Sequence, residues 1–148
     1  QTGRQETVRR FWTQLIERSK PRTSLLAGRS QSGDHWLDAG IGRTGIYLQL
    51  TISQDLCRVQ CMIRVPDGAA KSRALFEALK AQREAIERTF GESLNWEAVD
   101  GRQLCRIWME LPGGWKTPEA EWPGIQTQMI DRLLRLEAAV KGPVQQLS

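Results

Sequence analysis

Between residues 46 and 65 apolar and polar residues alternate almost without a break, and no other feature of the chain restricts its fold as much. Ile46, Leu48, Leu50 and Ile52 interleave with Tyr47, Gln49 and Thr51. After Gln54–Asp55, the set Val59, Cys61, Ile63 and Val65 interleaves with Arg58, Gln60, Met62 and Arg64. Successive side chains of a strand point to opposite faces, so a period of two held over two neighbouring runs predicts a hairpin with one buried face. A helix would scatter the same apolar residues around its axis. A short strand at His35–Ala39 and a turn over Gly40–Gly45 precede this hairpin, so three consecutive strands form a meander.

On either side the spacing changes to that of helices. Val8, Phe11, Trp12, Leu15 and Ile16 make one apolar stripe over residues 6–19, which Pro21 ends. Residues 22–33 read as a loop. Pro66–Asp67–Gly68 stops the sheet, with Asp67 suited to cap a helix over 69–90 whose stripe is Leu75, Phe76, Leu79, Ile86 and Phe90. Gly91 follows where a left-handed C-terminal cap is wanted. Leu94–Val99 and Arg102–Leu111 predict a second hairpin around Asp100–Gly101. A last helix starts near Thr117–Pro118 and ends near Lys141–Gly142–Pro143, with the residues beyond Pro143 as a tail. The order is α-β-β-β-α-β-β-α. Because its strands come in hairpin-linked groups, the fold class is α+β: a mainly antiparallel five-stranded sheet packed by helices. At 148 residues the chain suits a single domain, 1–148. No apolar run nears the ~20 residues needed to cross a bilayer.

Each motif that suggests chemistry meets the wrong surroundings. Gly40-Ile41-Gly42-Arg43-Thr44-Gly45 fits the G-x-G-x-x-G string, but an alternating strand follows it where a dinucleotide site needs a helix. The glycines are better suited to a tight or bulged hairpin turn. Pro66–Asp67 resembles the first half of a restriction-type metal site, yet no Glu-x-Lys follows on a strand. Asp34, His35 and Asp38 form the only acid–base cluster, with no Ser or Cys nucleophile nearby and with His35 and Asp38 on opposite strand faces. Cys57, Cys61 and Cys105 contain no C-x-x-C pair and lie in apolar runs, as buried reduced thiols do in a cytoplasmic protein. A zinc site lacks its fourth ligand. The expectation is a non-catalytic domain with no cofactor and no metal.

A formal charge of +4 and an isoelectric point near 9.3 admit nucleic acid without requiring it. If Cys105, Ile107, Met109 and Leu111 are buried, then Arg106 and Trp108 share the other sheet face with Tyr47, Arg58 and Arg64. Arginines interleaved with aromatics suit backbone contact and base stacking. Arg43, at the tip of the glycine turn, is a further phosphate-contact candidate. The candidate nucleic-acid-binding set is therefore Arg43, Arg58, Arg64, Arg106 and Trp108. The competing expectation is that helices cover this face. An alternative function is dimerisation or protein docking through the apolar terminal helix and Trp122. A small-molecule enzyme built on His35 and Asp38 stands third.

Arg10-Phe11-Trp12, Trp36 with Gly40-Ile41-Gly42 and Gly45-Ile46, Ile86-Glu87 with Phe90-Gly91, and Leu94-Asn95-Trp96 follow one another along the chain, before a Trp-bearing terminal helix. That order resembles the domain of unknown function commonly found C-terminal to restriction-endonuclease-like nuclease domains in bacteria and archaea. The resemblance spans about residues 5–141 and implies a cytoplasmic accessory domain, with DNA and a nuclease domain of the same parent chain as partners. It supplies no catalytic residues. The opening at Gln1, without an initiator Met, fits an excised C-terminal domain of a larger protein.

Overall fold

The computed structural model describes residues 3–29, 33–99 and 102–148. In chain order its elements are α1 (Gly3–Ser19), β1 (Trp36–Arg43), β2 (Ile46–Ile52), β3 (Leu56–Ile63), α2 (Ala69–Lys80), α3 (Arg83–Phe90), β4 (Asn95–Val99) and β5 (Leu104–Pro112). A 3-10 turn at Glu119–Glu121 then leads into α4 (Trp122–Gln145).

The alternating runs pair as their period demands. The sheet order is β1-β2-β3-β5-β4, and every neighbouring pair is antiparallel. Register aligns like with like: Leu48 lies opposite Cys61, which lies opposite Ile107, and Leu50–Val59–Met109 forms the adjoining row. A slip of one residue would turn each of these rows toward solvent, so the apolar set itself holds the register. The fold is α+β with a five-stranded antiparallel sheet.

The helices bury the apolar face of that sheet. α4 packs against β1, β2, β3 and β5, and α2 against β3, β4 and β5, while α1 and α3 lean on α4. Trp12 and Trp122 anchor the junction of α1 and α4, both packing edge-on to or against Phe11 with almost no exposure. The indole of Trp12 donates to the Asp34 carbonyl and that of Trp122 to the Thr117 carbonyl, so neither buried N–H lacks a partner. Truncating either ring to alanine costs about 3–5 kcal/mol.

Four local expectations are corrected. The helix foreseen over 69–90 is two helices, because residues 80–85 bury nothing and the chain turns at Ala81–Gln82. The break lets α2 face the sheet while α3 packs on α4. Gly68, not Asp67, is the N-cap of α2, and no side chain caps it. β1 runs on through Gly40 to Arg43 and takes up the glycines as a bulge between Gly40 and Arg43, with the turn confined to Thr44–Gly45. Finally, α4 continues through Pro143, since the fully buried Val144 holds the last turn on the core. Gly91 does adopt the left-handed cap, with φ 96° and its N–H on the Glu87 carbonyl. The turn foreseen at Asp100–Gly101 lies outside the described residues.

Candidate nucleic-acid interface

The second face of the sheet is left open. Along β2 burial alternates, with Ile46, Leu48, Leu50 and Ile52 buried and Tyr47, Gln49 and Thr51 partly exposed. β5 repeats the pattern with Leu104, Arg106 and Trp108 on the partly exposed side. Trp36 on β1 is 49% exposed, the one large apolar side chain so placed among the described residues. Register assembles the open face into three rows: Tyr47–Met62–Arg106–Glu97, then Asp38–Gln49–Gln60–Trp108–Asn95, then Trp36–Thr51–Arg58–Glu110.

Four of the five residues foreseen as a binding set share this face. Trp108 sits between two guanidinium groups, Arg106 at 4.6 Å and Arg58 at 5.6 Å from its ring centroid. Such stacking holds the arginines in place against the sheet. Arg64 lies one residue beyond β3 on the same side, where its charge acts on Tyr47. Arg64 is exposed and, among the described residues, makes no ion pair.

Arg43 is placed elsewhere. Its guanidinium donates to the carbonyls of Val144 and Leu147 at 3.4 and 2.9 Å, closing the C-terminal end of α4. They lie at the C-terminal end of α4, the negative end of its dipole, where a cation is the natural cap, and the Val144 carbonyl also accepts the Leu147 N–H at 3.2 Å. Arg43 has the parity of Leu37, Ala39 and Ile41, the buried set of β1, and so lies on the helical side.

Sequence reasoning puts Glu110 on the side of Arg106 but assigns no role to the carboxylates of the face. Glu110 lies directly across from Arg58 and binds it at 2.8 Å, and Glu97 does the same for Arg106 at 2.8 Å. With Asp38, three carboxylates stand against the three arginines Arg58, Arg64 and Arg106, so the described residues of the face sum to no net charge. The signal lay in strand parity, which puts Glu97 and Glu110 on the Arg106 side. Their pairing shows only once the register of β3, β4 and β5 is known.

An amide ladder runs through the middle row. Gln60 Nε2 donates to Gln49 Oε1 at 2.6 Å, and Gln49 Nε2 donates to Asp38 Oδ1 at 2.8 Å. A carboxylate accepts only, so Asp38 sets the orientation of both amides. Gln60 Oε1 is thereby turned away, buried and without a partner among the described residues. Beside the ladder the Tyr47 hydroxyl is pushed to higher pKa, first by burial and then by Asp38, with Arg64 opposing.

The other candidates for chemistry stay apart. His35 Nδ1 lies 3.2 Å from the Ile52 carbonyl, whereas Asp38 is engaged by Gln49. Burial pushes the thiols of Cys57 and Cys61 up to about 12, and that of Cys105 upward as well. All three are buried and reduced. Among the described residues no group of His, Cys, Asp and Glu is arranged to hold a metal ion. Among the described residues no helix is long and apolar enough to cross a membrane. Trp122 is 1% exposed and Met129, Ile130, Leu133 and Leu136 of α4 are buried in the core, while Ile125 and Leu134 are partly buried.

The family model described as domain of unknown function (DUF4268) matches residues 7–144, and the chain belongs to that family. No curated protein and no solved structure matches it.

Proposed function

We propose that this member of the DUF4268 family is a non-catalytic accessory domain that contacts DNA through the open face of its sheet. We place it in a bacterial or archaeal cytoplasmic defence protein, C-terminal to a restriction-endonuclease-like nuclease module. The observation that carries the reading is the Arg58–Trp108–Arg106 stack on a sheet face that no helix covers. Guanidinium groups stacked over an indole are held in place on the face, and phosphate oxygens accept guanidinium donors bidentately. Arg64, exposed at the edge of the same face, adds a third contact. Trp36 and Tyr47 offer aromatic surface for unpaired bases. No acidic-lysine constellation stands among these groups, so the domain's part is to hold DNA while another module acts on it.

Fluorescence anisotropy with a labelled oligonucleotide, single-stranded and duplex, tests this. Three phosphate contacts give a log–log salt slope of about −2 to −3, so doubling the salt weakens binding roughly four- to eightfold. Arg58→Ala with Arg106→Ala removes most of the affinity. Binding that ignores salt, or survives that double substitution, refutes the reading.

A protein-docking role is the second reading, favoured by the zero net charge of the described residues of the face and by half-exposed Trp36. A stable homodimer by native mass measurement, broken by Trp36→Ser and without DNA affinity, would select it.

A further inference from the structure

We infer that Glu97 and Glu110 are the specificity-determining residues of the open face, reserving its arginines for a chain of phosphates. The inference rests on the DNA reading above. Each carboxylate sits on the strand neighbouring its arginine, directly across from it, and holds it at 2.8 Å. Both pairs are partly open to water, with side-chain exposures of 31% and 40% for Arg58–Glu110 and 25% and 44% for Arg106–Glu97. Ion pairs so exposed are weak, so opening them costs little. They are intramolecular, however, which gives each carboxylate a local concentration far above that of a free anion.

Two consequences follow for the ligand. A lone phosphate or an isolated acidic side chain has to displace a tethered carboxylate one site at a time. A polynucleotide gains its first contact at Arg64, which no carboxylate among the described residues pairs with, and its next phosphates then meet Arg106 and Arg58 as tethered groups themselves. Trp108 keeps both guanidinium groups in place when their carboxylates let go. Asp38, the third carboxylate of the face, is held by Gln49 and takes no part. Glu97 and Glu110 thus act as place-holders: the face stays closed to single anions and opens to a string of them.

The test compares wild type with E97Q/E110Q and with E84Q/E121Q. The last makes the same charge change at two exposed glutamates on α3 and at the start of α4 that form no ion pair among the described residues. The probe is a labelled single strand of about 20 nucleotides, enough to cover the face. E97Q/E110Q should tighten binding about tenfold and E84Q/E121Q less than about threefold, the general effect of two charges at moderate salt. Inorganic phosphate at millimolar concentration should compete with the strand on E97Q/E110Q and leave wild type untouched. Binding by E97Q/E110Q alone overturns the inference, because the wild-type face then does not open to a string of phosphates. Equal tightening by the two variants, or equal competition by phosphate, overturns it while the DNA reading stands. Absence of binding by wild type and E97Q/E110Q alike overturns the DNA reading and this inference with it.

Discussion

The glycines of the β1–β2 turn give a graded prediction that separates conformational need from ligand binding. In the string Gly40-Ile41-Gly42-Arg43-Thr44-Gly45, a methyl group at Gly40 meets nothing within 4 Å, and Gly40 has ordinary strand backbone. Gly42 likewise faces open space but has φ 91°, which costs an L-residue about 1–2 kcal/mol. Gly45 combines φ 85° with a close neighbour: a Cβ there would stand 2.6 Å from Val65 Cα and 2.9 Å from the Arg64 carbonyl oxygen. Both are backbone atoms, and the Gly45 carbonyl also accepts the Arg64 N–H at 2.7 Å, so neither strand yields without losing that bond. Adding an overpacking cost of about 1–3 kcal/mol puts Gly45→Ala at about 2–5 kcal/mol. For a chain of this length each kcal/mol lowers Tm by about 2–4 °C, so a drop of about 10 °C is expected. Gly42→Ala falls between, and Gly40→Ala is neutral or slightly stabilising. Urea unfolding followed by tryptophan fluorescence reads all three. Equal damage at Gly40 and Gly45 would refute the steric account.

Two further outcomes rest on single contacts. Burial by itself would raise the pKa of Glu87, but the Trp96 indole, the Leu94 amide and Arg83 outweigh it and hold the carboxyl below the usual range. A lower folded than unfolded pKa means stability that is complete above the unfolded value and lost as pH falls through the folded one. Glu87→Gln should therefore flatten the fall in stability between about pH 5 and pH 3, seen in denaturation midpoints across that range. Arg43→Ala removes the cation from the C-terminal end of α4 and, discounted for partial exposure, lowers stability by about 1 kcal/mol. The same variant leaves DNA affinity unchanged, because that arginine faces the helical side; an anisotropy loss comparable to that of Arg106→Ala would contradict its placement.

The architecture was legible wherever one periodicity held over a whole element. β2, β3 and β5 announced themselves because each alternates against a buried face, and α1 because its stripe is complete from Val8 to Ile16. Legibility failed where a tertiary contact overruled a local rule. Pro143 reads as a stop, yet Val144 is buried deeply enough to carry α4 past it. The stripe from Leu75 to Phe90 keeps helical phase across Ala81–Gln82, so nothing local betrays that α2 and α3 pack on different neighbours. The site divided in the same way. Strand parity was enough to gather Arg58, Arg64, Arg106 and Trp108 on one face. The opposition of Glu97 and Glu110 to two of those arginines depends on the order β3-β5-β4, a non-local fact.

If DNA binds the open face, the six tryptophans report on it from separate places. Trp36 and Trp108 lie on the face, whereas Trp12 and Trp122 are buried beneath the helices with their indoles bonded to backbone carbonyls. The measurement is a titration of the nitrogen-15-labelled domain with single-stranded DNA, following the six indole N–H signals. Shifts at Trp36 and Trp108, lost at high salt, with Trp12 and Trp122 unmoved, are the predicted result. Saturable binding that leaves Trp108 unmoved would contradict the account.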